Sequence, residues 1–238
     1  MHPDASQAIG KLRVNVVELD VDLVTVAGHK FYAPKGVGAL YVRKKSMVLD
    51  TIIHGASQEN GRCVGTENVG LVAALGQACA LVEKNLHEYA VIMQESRAFL
   101  LEQIQKHCSL TNVSYQQVNG HPELSLPNTL SISFINIDAS RLLDLIEADG
   151  VYASACHSNK QDKTTEQEEN LDRDGKHITT ISHVLAAMHV APEFAKGTLH
   201  LSVGRFTTQE EVLHAANAIH KPSSNYCSLA KVSTGTEL

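Results

Sequence analysis

The stretch Val21–Arg43 constrains this 238-residue chain more than any other part of it. It begins with the run Val21–Val26, which is apolar and β-branched, a composition typical of a strand buried on both faces. A second apolar run, Gly38–Arg43, follows a turn that contains proline and glycine. The segment Gly28-His29-Lys30 comes directly after the first run. We therefore expect a histidine and a lysine at the end of a buried strand.

Lys30 is a candidate nucleophile because of this position. A lysine just past a buried strand can have its ammonium partly desolvated, which favours the neutral, nucleophilic amine. Schiff-base chemistry requires a lysine of that kind. The alternative is an ordinary surface lysine in a loop.

Composition and charge exclude several other classes of protein. The formal net charge of -6 and the lack of a basic cluster argue against nucleic-acid binding. No apolar run approaches membrane-spanning length, and the first residues lack the order of a signal peptide. The five cysteines are irregularly spaced and fit neither a disulfide framework nor a zinc motif. We expect a reducing, cytoplasmic location, no membrane contact and no bound metal.

The residues Ala27–Val42 read Ala-Gly-His-Lys-Phe-Tyr-Ala-Pro-Lys-Gly-Val-Gly-Ala-Leu-Tyr-Val. This segment closely resembles the lysine segment of the pyridoxal-phosphate cysteine desulfurases and selenocysteine lyases. The resemblance implies an α/β fold of the fold-type-I transferases. It also implies that Lys30 holds pyridoxal 5'-phosphate as an imine, exchanges it for the substrate amine and shuttles protons. His29 would lie against the cofactor or steer its phosphate.

The segment His2–Gln7 resembles a His-x-Asp-x-x-Gln stretch of the same family. By resemblance, Asp4 pairs with the pyridinium nitrogen of the cofactor and Gln7 contacts the ring hydroxyl. A carboxylate there keeps the nitrogen protonated and the ring an electron sink. The alternative is that Asp4 is simply a helix cap.

The segment Gly55–Asn68 matches a glycine-rich loop of the family in outline. Its Thr66 would reach across a dimer interface to the phosphate of the partner's cofactor, which implies a homodimer. A hydroxyl beside a glycine and before a helix suits a phosphate. Considered alone, Thr66 is equally well explained as the N-cap of that helix, with Glu67 in its first turn.

Cys156 lies in the segment Val151–Ser158, which resembles the catalytic-cysteine segment of the family. Its Cys-His-Ser ending is closer to the selenocysteine lyases than to the desulfurases. By resemblance, Cys156 acts on the selenium or sulfur of the substrate. The alternative is a buried cysteine that only fills space. The polar tract Asn159–Lys176 predicts a mobile loop after it, and its acidic part disfavours a nearby thiolate.

His200 lies in the segment Leu199–Thr208, which resembles the closing strand and turn of the family's small domain. Relatives carry an arginine at this position, which grips the substrate carboxylate. Histidine is shorter and mostly neutral at pH 7, so it does not replace that contact. Arg205 is a rival, but its odd separation from His200 places it on the opposite face if the strand stays regular.

Periodicity supplies the remaining elements. It predicts two strands, at Val14–Val17 and Leu126–Phe134. It also predicts five helices, at Ser6–Lys11, Val69 to about His107, Ala139–Asp149, Ile181–Met188 and Gln209–His220. By resemblance, residues 1–88 are the later part of a large cofactor-binding domain. Residues 89–220 then form a small α+β C-terminal domain with the cysteine loop, and residues 221–238 form a flexible tail.

Two functions remain open. The first is a selenocysteine lyase-like enzyme that releases selenium or sulfur from L-selenocysteine or L-cysteine, gives L-alanine, and passes the chalcogen to an acceptor protein. The second is an impaired or truncated paralogue with a non-enzymatic binding or regulatory role. The resemblance covers about the later half of a family member, and it includes His200 and an Ala27 where relatives carry serine. These departures favour the second function.

Overall fold

The computed structural model of the protein describes residues 1–44, 49–109, 116–155 and 181–233. The chain divides into two compact units, Met1–Ile92 and Met93–Leu238. They are called unit 1 and unit 2 below.

An antiparallel hairpin forms the centre of unit 1. Strand β1 (Leu23–Ala27) pairs with β2 (Gly38–Val42), with Thr25 opposite Leu40. Both strands predicted from the sequence are thus confirmed. A 3₁₀ helix, Gly28–Phe31, follows β1 directly. Only the first two residues of β1 are buried and the other three are half-buried, so the strand is less enclosed than its composition indicates.

Residues 6–17 differ from the sequence prediction. The segment Ser6–Lys11 forms successive turns instead of a helix, because Gly10 has a φ of 82° and leaves the right-handed helical path. The segment Val14–Val17 contains no strand. There the side-chain oxygen of Asn15 accepts a hydrogen bond from the amide of Val17, which is the local contact of an Asx-turn.

Two hydrophobic clusters stabilise unit 1. The first contains Ala5, Val21 and Val24, and the second contains Phe31, Ala33 and Ala78. Ile9 and Val26 pack against both clusters and so connect them. The turn that follows residue 5 is therefore packed into the same core as the hairpin.

Helix α2 (Val69–Ser109) confirms the long helix predicted from periodicity, and a single turn, α1 (Gln58–Gly61), precedes it. Within the described residues, α2 is one helix that is long and apolar enough to cross a membrane, by length and composition alone. This differs from the expectation that no apolar run of the sequence approaches membrane-spanning length. One such helix is weak support for a membrane span, because core helices pass the same test. Leu75 and Val82 of α2 pack against the cluster around Phe31.

Unit 2 is built on a four-stranded antiparallel sheet. Its strands are β3 (Gln116–Asn119), β4 (Thr129–Phe134), β5 (Ser154–Ala155) and β6 (Thr198–Ser202), in the spatial order β3-β4-β6-β5. The strand predicted at Leu126–Phe134 corresponds to β4. Its central position explains why Ile132 and Phe134 are almost fully buried.

Besides the last part of α2, the described residues of unit 2 contain four helices: α3 (Ala139–Ala148), α4 (His183–Ala187), α5 (Pro192–Ala195) and α6 (Gln209–Ser233). Asp138 caps α3 by accepting hydrogen bonds from the amides of Ser140 and Arg141. As expected, the chain leaves α3 at Gly150, whose φ is 78°.

The last helix is longer than the sequence indicates. We expected it to end at His220, with a flexible tail beyond, because Pro222 lacks the amide hydrogen that a helix interior uses. Instead α6 continues to Ser233. One missing hydrogen bond does not end a helix when turns on both sides of the proline remain helical.

Candidate cofactor site

The predicted site residues fall into two groups. Unit 1 carries five of them: Asp4, Gln7, His29, Lys30 and Thr66. Unit 2 carries His200 on β6. Cys156 and the tract Asn159–Lys176 lie outside the described residues, directly after β5.

Asp4 lies beside β1. It forms a parallel bridge with Thr25, and the amide of Ala5 donates to the carbonyl of Thr25 at 3.1 Å. On the other side, the amide of Thr25 donates to the carbonyl of Pro3 at 3.2 Å. Thr25 is two residues, or about 7 Å, from the end of β1 at Ala27. The 3₁₀ helix with Lys30 begins at that end, so the same strand positions the carboxylate and the amine.

The carboxylate of Asp4 is held in its charged form. The amide of Ser6 donates to its Oδ1 at 2.8 Å. Hydrogen bonds from the side chain and backbone of Ser6 lower the pKa of Asp4 below its usual 3.8, and nearby His2 lowers it further. The helix-cap alternative is thus partly right, because Asp4 caps the turn that follows it. That turn is not a helix, and the carboxylate is exposed.

His29 and Lys30 are exposed, whereas their neighbours Gly28 and Phe31 are buried. The first and last residues of the 3₁₀ helix are therefore packed into the core, and the two residues between them, His29 and Lys30, face solvent. Partial burial of Lys30, expected from its position after a strand, is wrong for this chain. The reason is that the 3₁₀ helix turns the chain immediately after β1, so Lys30 does not continue along the buried part of the strand.

The buried lysine of unit 1 is Lys11, which the sequence analysis missed. It is 7% exposed, and its Nζ donates to the carbonyl of Gln7 at 2.9 Å. Burial lowers the pKa of Lys11, and the positive charge of Lys30 lowers it further. No local signal in the sequence separates Lys11 from a surface lysine, because its burial depends on contacts made by residues distant along the chain.

Thr66 is exposed in the loop before α2. The helix is capped by Asn68, whose side-chain oxygen accepts a hydrogen bond from the amide of Leu71 at 3.2 Å. The alternative that Thr66 is the N-cap is therefore wrong. In the same loop Glu59 and Asn60 both have left-handed φ values, 49° and 59°.

His200 is half-buried at the middle of β6. It is paired across the sheet with Ser131 of β4 and Ser154 of β5. Directly opposed residues share a face of the sheet, so an imidazole and two hydroxyls form one row. Arg205 lies in a turn after the strand has ended at Ser202, and its guanidinium lies 4.8 Å from the centre of the Phe206 ring. The alternation argument that excluded Arg205 therefore does not apply.

Comparison with known proteins identifies the family of this chain. The family model described as aminotransferase class-V matches residues 1–214. The chain therefore belongs to the class-V aminotransferase family, whose members share the pyridoxal-phosphate-dependent fold type I.

Among relatives, the chain is 36% identical over 214 residues to a "Cysteine desulfurase IscS" of Methanosarcina thermophila. It is 33% identical over 223 residues to a protein of the same name from Dictyoglomus turgidum. These alignments cover 89% and 92% of the chain but 47% and 50% of the two relatives. The chain thus spans about half the length of the curated relatives it matches.

Solved structures also match about half of their own length to nearly the whole of this chain. A NifS-like protein matches 94% of the chain with a TM-score of 0.75 and 31% identity, and the chain covers 52% of it. A NifS-like protein from Rickettsia africae matches 92% of the chain with a TM-score of 0.71 and 25% identity. The chain is therefore similar to cysteine desulfurases in both sequence and fold.

Proposed function

We propose that this chain carries the cofactor-lysine half of a cysteine desulfurase-like enzyme, with Lys30 as the residue that bonds pyridoxal phosphate. The observation that carries the proposal is the placement of Asp4 and Lys30 by one strand. A carboxylate that Ser6 keeps anionic is the partner a protonated pyridine nitrogen needs. An exposed primary amine is what an aldehyde needs. The residues present in unit 1 therefore fit the cofactor.

Pyridoxal phosphate, when bound, supplies an electron sink for the carbon next to the substrate amine. Asp4 would hold the proton on the ring nitrogen, and Gln7 would donate a hydrogen bond to the ring hydroxyl. Lys30 would bond the cofactor and would also accept and return protons at Nζ. His29, exposed beside Lys30, would lie against the ring or steer the phosphate. Thr66, which does not cap α2, would serve the phosphate of the partner subunit's cofactor in a homodimer.

The chalcogen step is assigned to Cys156. Its thiolate attacks the sulfur of L-cysteine, so a sulfur–sulfur bond forms as the carbon–sulfur bond breaks. The electron pair stays on the three-carbon fragment, which takes a proton and leaves as L-alanine. The persulfide is then passed to an acceptor protein. L-selenocysteine is the finer alternative substrate, supported by the Cys-His-Ser ending at Cys156. We propose a cytoplasmic location, because Cys156 must remain a free thiol to act as a nucleophile, and a reducing compartment keeps cysteines in that form.

Reductive trapping tests the cofactor assignment. The full chain is incubated with pyridoxal phosphate, reduced with borohydride and mapped by peptide mass. We expect the tag on Lys30, and we expect Lys30→Ala to lose it while Lys35→Ala keeps it. A tag on Lys35 in the wild-type chain contradicts the assignment.

Cysteine substitutions test the second step. In a preparation that releases alanine from L-cysteine, Cys156→Ala should abolish release, whereas the exposed Cys63 should tolerate alanine. If Cys63→Ala and Cys156→Ala lost alanine release equally, the assignment of the catalytic thiol to Cys156 would be wrong.

The second candidate function is a non-enzymatic binding or regulatory role. It is favoured by His200, because an imidazole does not provide the two-pronged carboxylate contact of the arginine in relatives. A wild-type chain that traps no cofactor at any lysine would support this second function.

A further inference from the structure

Lys11 is a buried charged residue of unit 1 for which the proposed chemistry has no use. A buried charge is costly unless it is hydrogen-bonded or has a task. Its Nζ donates to the carbonyl of Gln7 at 2.9 Å, within the same turn. Replacing a buried charge by an apolar side chain of similar volume is often neutral or stabilising, so general stability does not explain a lysine here.

The turn that carries Lys11 is seated on the 3₁₀ helix that carries Lys30. Gly10 has a φ of 82°, and a Cβ added there would lie 2.5 Å from the Cβ of Phe31. A contact that close excludes any larger residue unless one of the two segments moves. Gly10 therefore allows the turn to approach Phe31, the residue directly after Lys30.

This turn therefore links the segments that carry two residues of the proposed cofactor site, Gln7 and Lys30. Gln7 begins the segment that Lys11 closes by its hydrogen bond, and Lys30 lies on the helix against which that segment packs. Ile9, which lies between Gln7 and Lys11 in the sequence, contacts both hydrophobic clusters of unit 1. The position of Gln7 relative to Lys30 therefore depends on this turn.

We propose that Lys11 is a positioning residue of the cofactor site, which fixes the main chain at Gln7 against the helix that carries Lys30. The inference rests on the proposed function, because Gln7 and Lys30 are residues of that function. Lys11 acts only through Gln7. Its loss should weaken recognition of the ring hydroxyl, which Gln7 contacts, more than it weakens the rest of cofactor binding.

The test compares two probes on the full chain: pyridoxal 5'-phosphate and its 3-deoxy analogue, which lacks the ring hydroxyl. The apparent affinity of each is measured from the yield of borohydride trapping at Lys30. The variants are Lys11→Met, Lys11→Arg, Gln7→Ala and the double variant Lys11→Met/Gln7→Ala. Lys84→Met is the matched control, because Lys84 is an exposed lysine on α2 of the same unit. Urea denaturation establishes that each variant is folded.

We expect Lys11→Met to weaken pyridoxal phosphate binding about five- to tenfold, the size of one hydrogen bond, and to leave the 3-deoxy analogue nearly unchanged. Lys11→Arg should retain most of the preference for the hydroxyl, since it keeps the charge and the donor. The double variant should be no weaker than Gln7→Ala alone. Lys84→Met should behave as wild type.

Each of the following results would overturn the proposal. Equal losses for both probes in Lys11→Met would give Lys11 a merely structural role, and an unchanged preference for pyridoxal phosphate over the analogue would give it no role. If Lys11→Met does not fold, Lys11→Arg decides, and an equal loss for both probes there again contradicts positioning. If the wild-type chain traps neither probe at Lys30, the proposed function fails and the inference fails with it.

Discussion

The two units of this chain differ in how the predicted site residues are placed. In unit 1, Asp4 and Lys30 are positioned by a single strand, and the turn between them is packed into the same core. In unit 2, the sheet places His200 centrally, between Ser131 and Ser154, where the resemblance to the family leads us to expect an arginine. The backbone at that position is thus held by pairing on both sides, while the side chain differs from the expected one.

This difference separates cofactor binding from substrate binding. In the proposed function the residues of unit 1 would serve the cofactor, and they are of the types that cofactor chemistry requires. His200 would face the substrate carboxylate, and an imidazole lacks the two-pronged fork with which an arginine holds that charge. A chain of this kind is expected to bind cofactor better than it binds substrate. Each prediction below tests this contrast in one unit while the other is left intact.

The largest effect is expected in the core of unit 2. Ile132 is 0% exposed at the centre of the sheet, so Ile132→Ala should lower the free energy of unfolding by about 2–5 kcal/mol. Val118→Ala is the control, since Val118 is 43% exposed on β3 and should change stability by no more than about 0.5 kcal/mol. Urea denaturation measures both. Trapping of cofactor at Lys30 should persist in Ile132→Ala under native conditions, and its loss there would contradict the separation of roles.

Substrate affinity is the next test. A buried arginine–carboxylate contact is typically worth about 2–5 kcal/mol, with a factor of ten for about each 1.4 kcal/mol. His200→Arg should therefore strengthen binding of L-cysteine markedly, and should strengthen binding of L-cysteinamide little, because the amide lacks the carboxylate charge. The affinities of both ligands are compared in wild type, His200→Arg and Arg205→Ala. Unchanged affinity in His200→Arg together with a large loss in Arg205→Ala would move the carboxylate site to Arg205.

A smaller effect is expected at Asp4. A hydrogen bond to a charged group contributes about 1.5–3 kcal/mol, so Asp4→Asn should weaken pyridoxal phosphate about tenfold to a hundredfold. Because the carboxylate is exposed, the free energy of unfolding should change little. Trapping yield at Lys30 measures the first quantity and urea denaturation the second. A loss of stability without a loss of cofactor affinity would make Asp4 only the cap of its turn.

The smallest effect concerns pH. The pKa of Asp4 is lowered by Ser6, so the folded-state pKa lies below the unfolded value near 3.8. Such a group stabilises the fold above the unfolded pKa, and this stabilisation is lost as the pH falls through the folded pKa. Ser6→Ala removes the side-chain hydrogen bond and should flatten the dependence of the urea midpoint on pH between about pH 5 and 2. An identical pH profile in wild type and Ser6→Ala would mean that the hydroxyl of Ser6 does not hold the carboxylate.

Elements whose cause is local were predictable from the sequence. β1 and β2 follow from β-branched apolar runs, α2 and α3 from helical periodicity, and the end of α3 from Gly150. The segment around Lys30 also identified the family, because its residue types and spacing are specific. In these cases the propensity of a few neighbouring residues and the final structure agree.

Two of the wrong predictions also have local causes, but these causes are single conformational choices and not patterns of residues. Gly10 interrupts the helix expected at Ser6–Lys11, and the cap of α2 is Asn68 instead of Thr66, two positions away. Both alternatives fit the sequence, and a single dihedral angle or side-chain hydrogen bond decides between them. Such choices differ by about 1 kcal/mol, which is too little for a pattern to predict.

The sequence by itself determined that a lysine follows an apolar strand, that an aspartate stands near the start of the chain, and that a histidine occupies a later strand. Only the tertiary structure decided that Asp4 lies beside Thr25, that His200 lies between two serines, and that Lys11 is buried while Lys30 is exposed. Hydrogen-bond ladders join strands that are far apart in the chain, and burial is the sum of contacts from such segments. Neither is a property of any short run of residues, so both exist only in the folded chain.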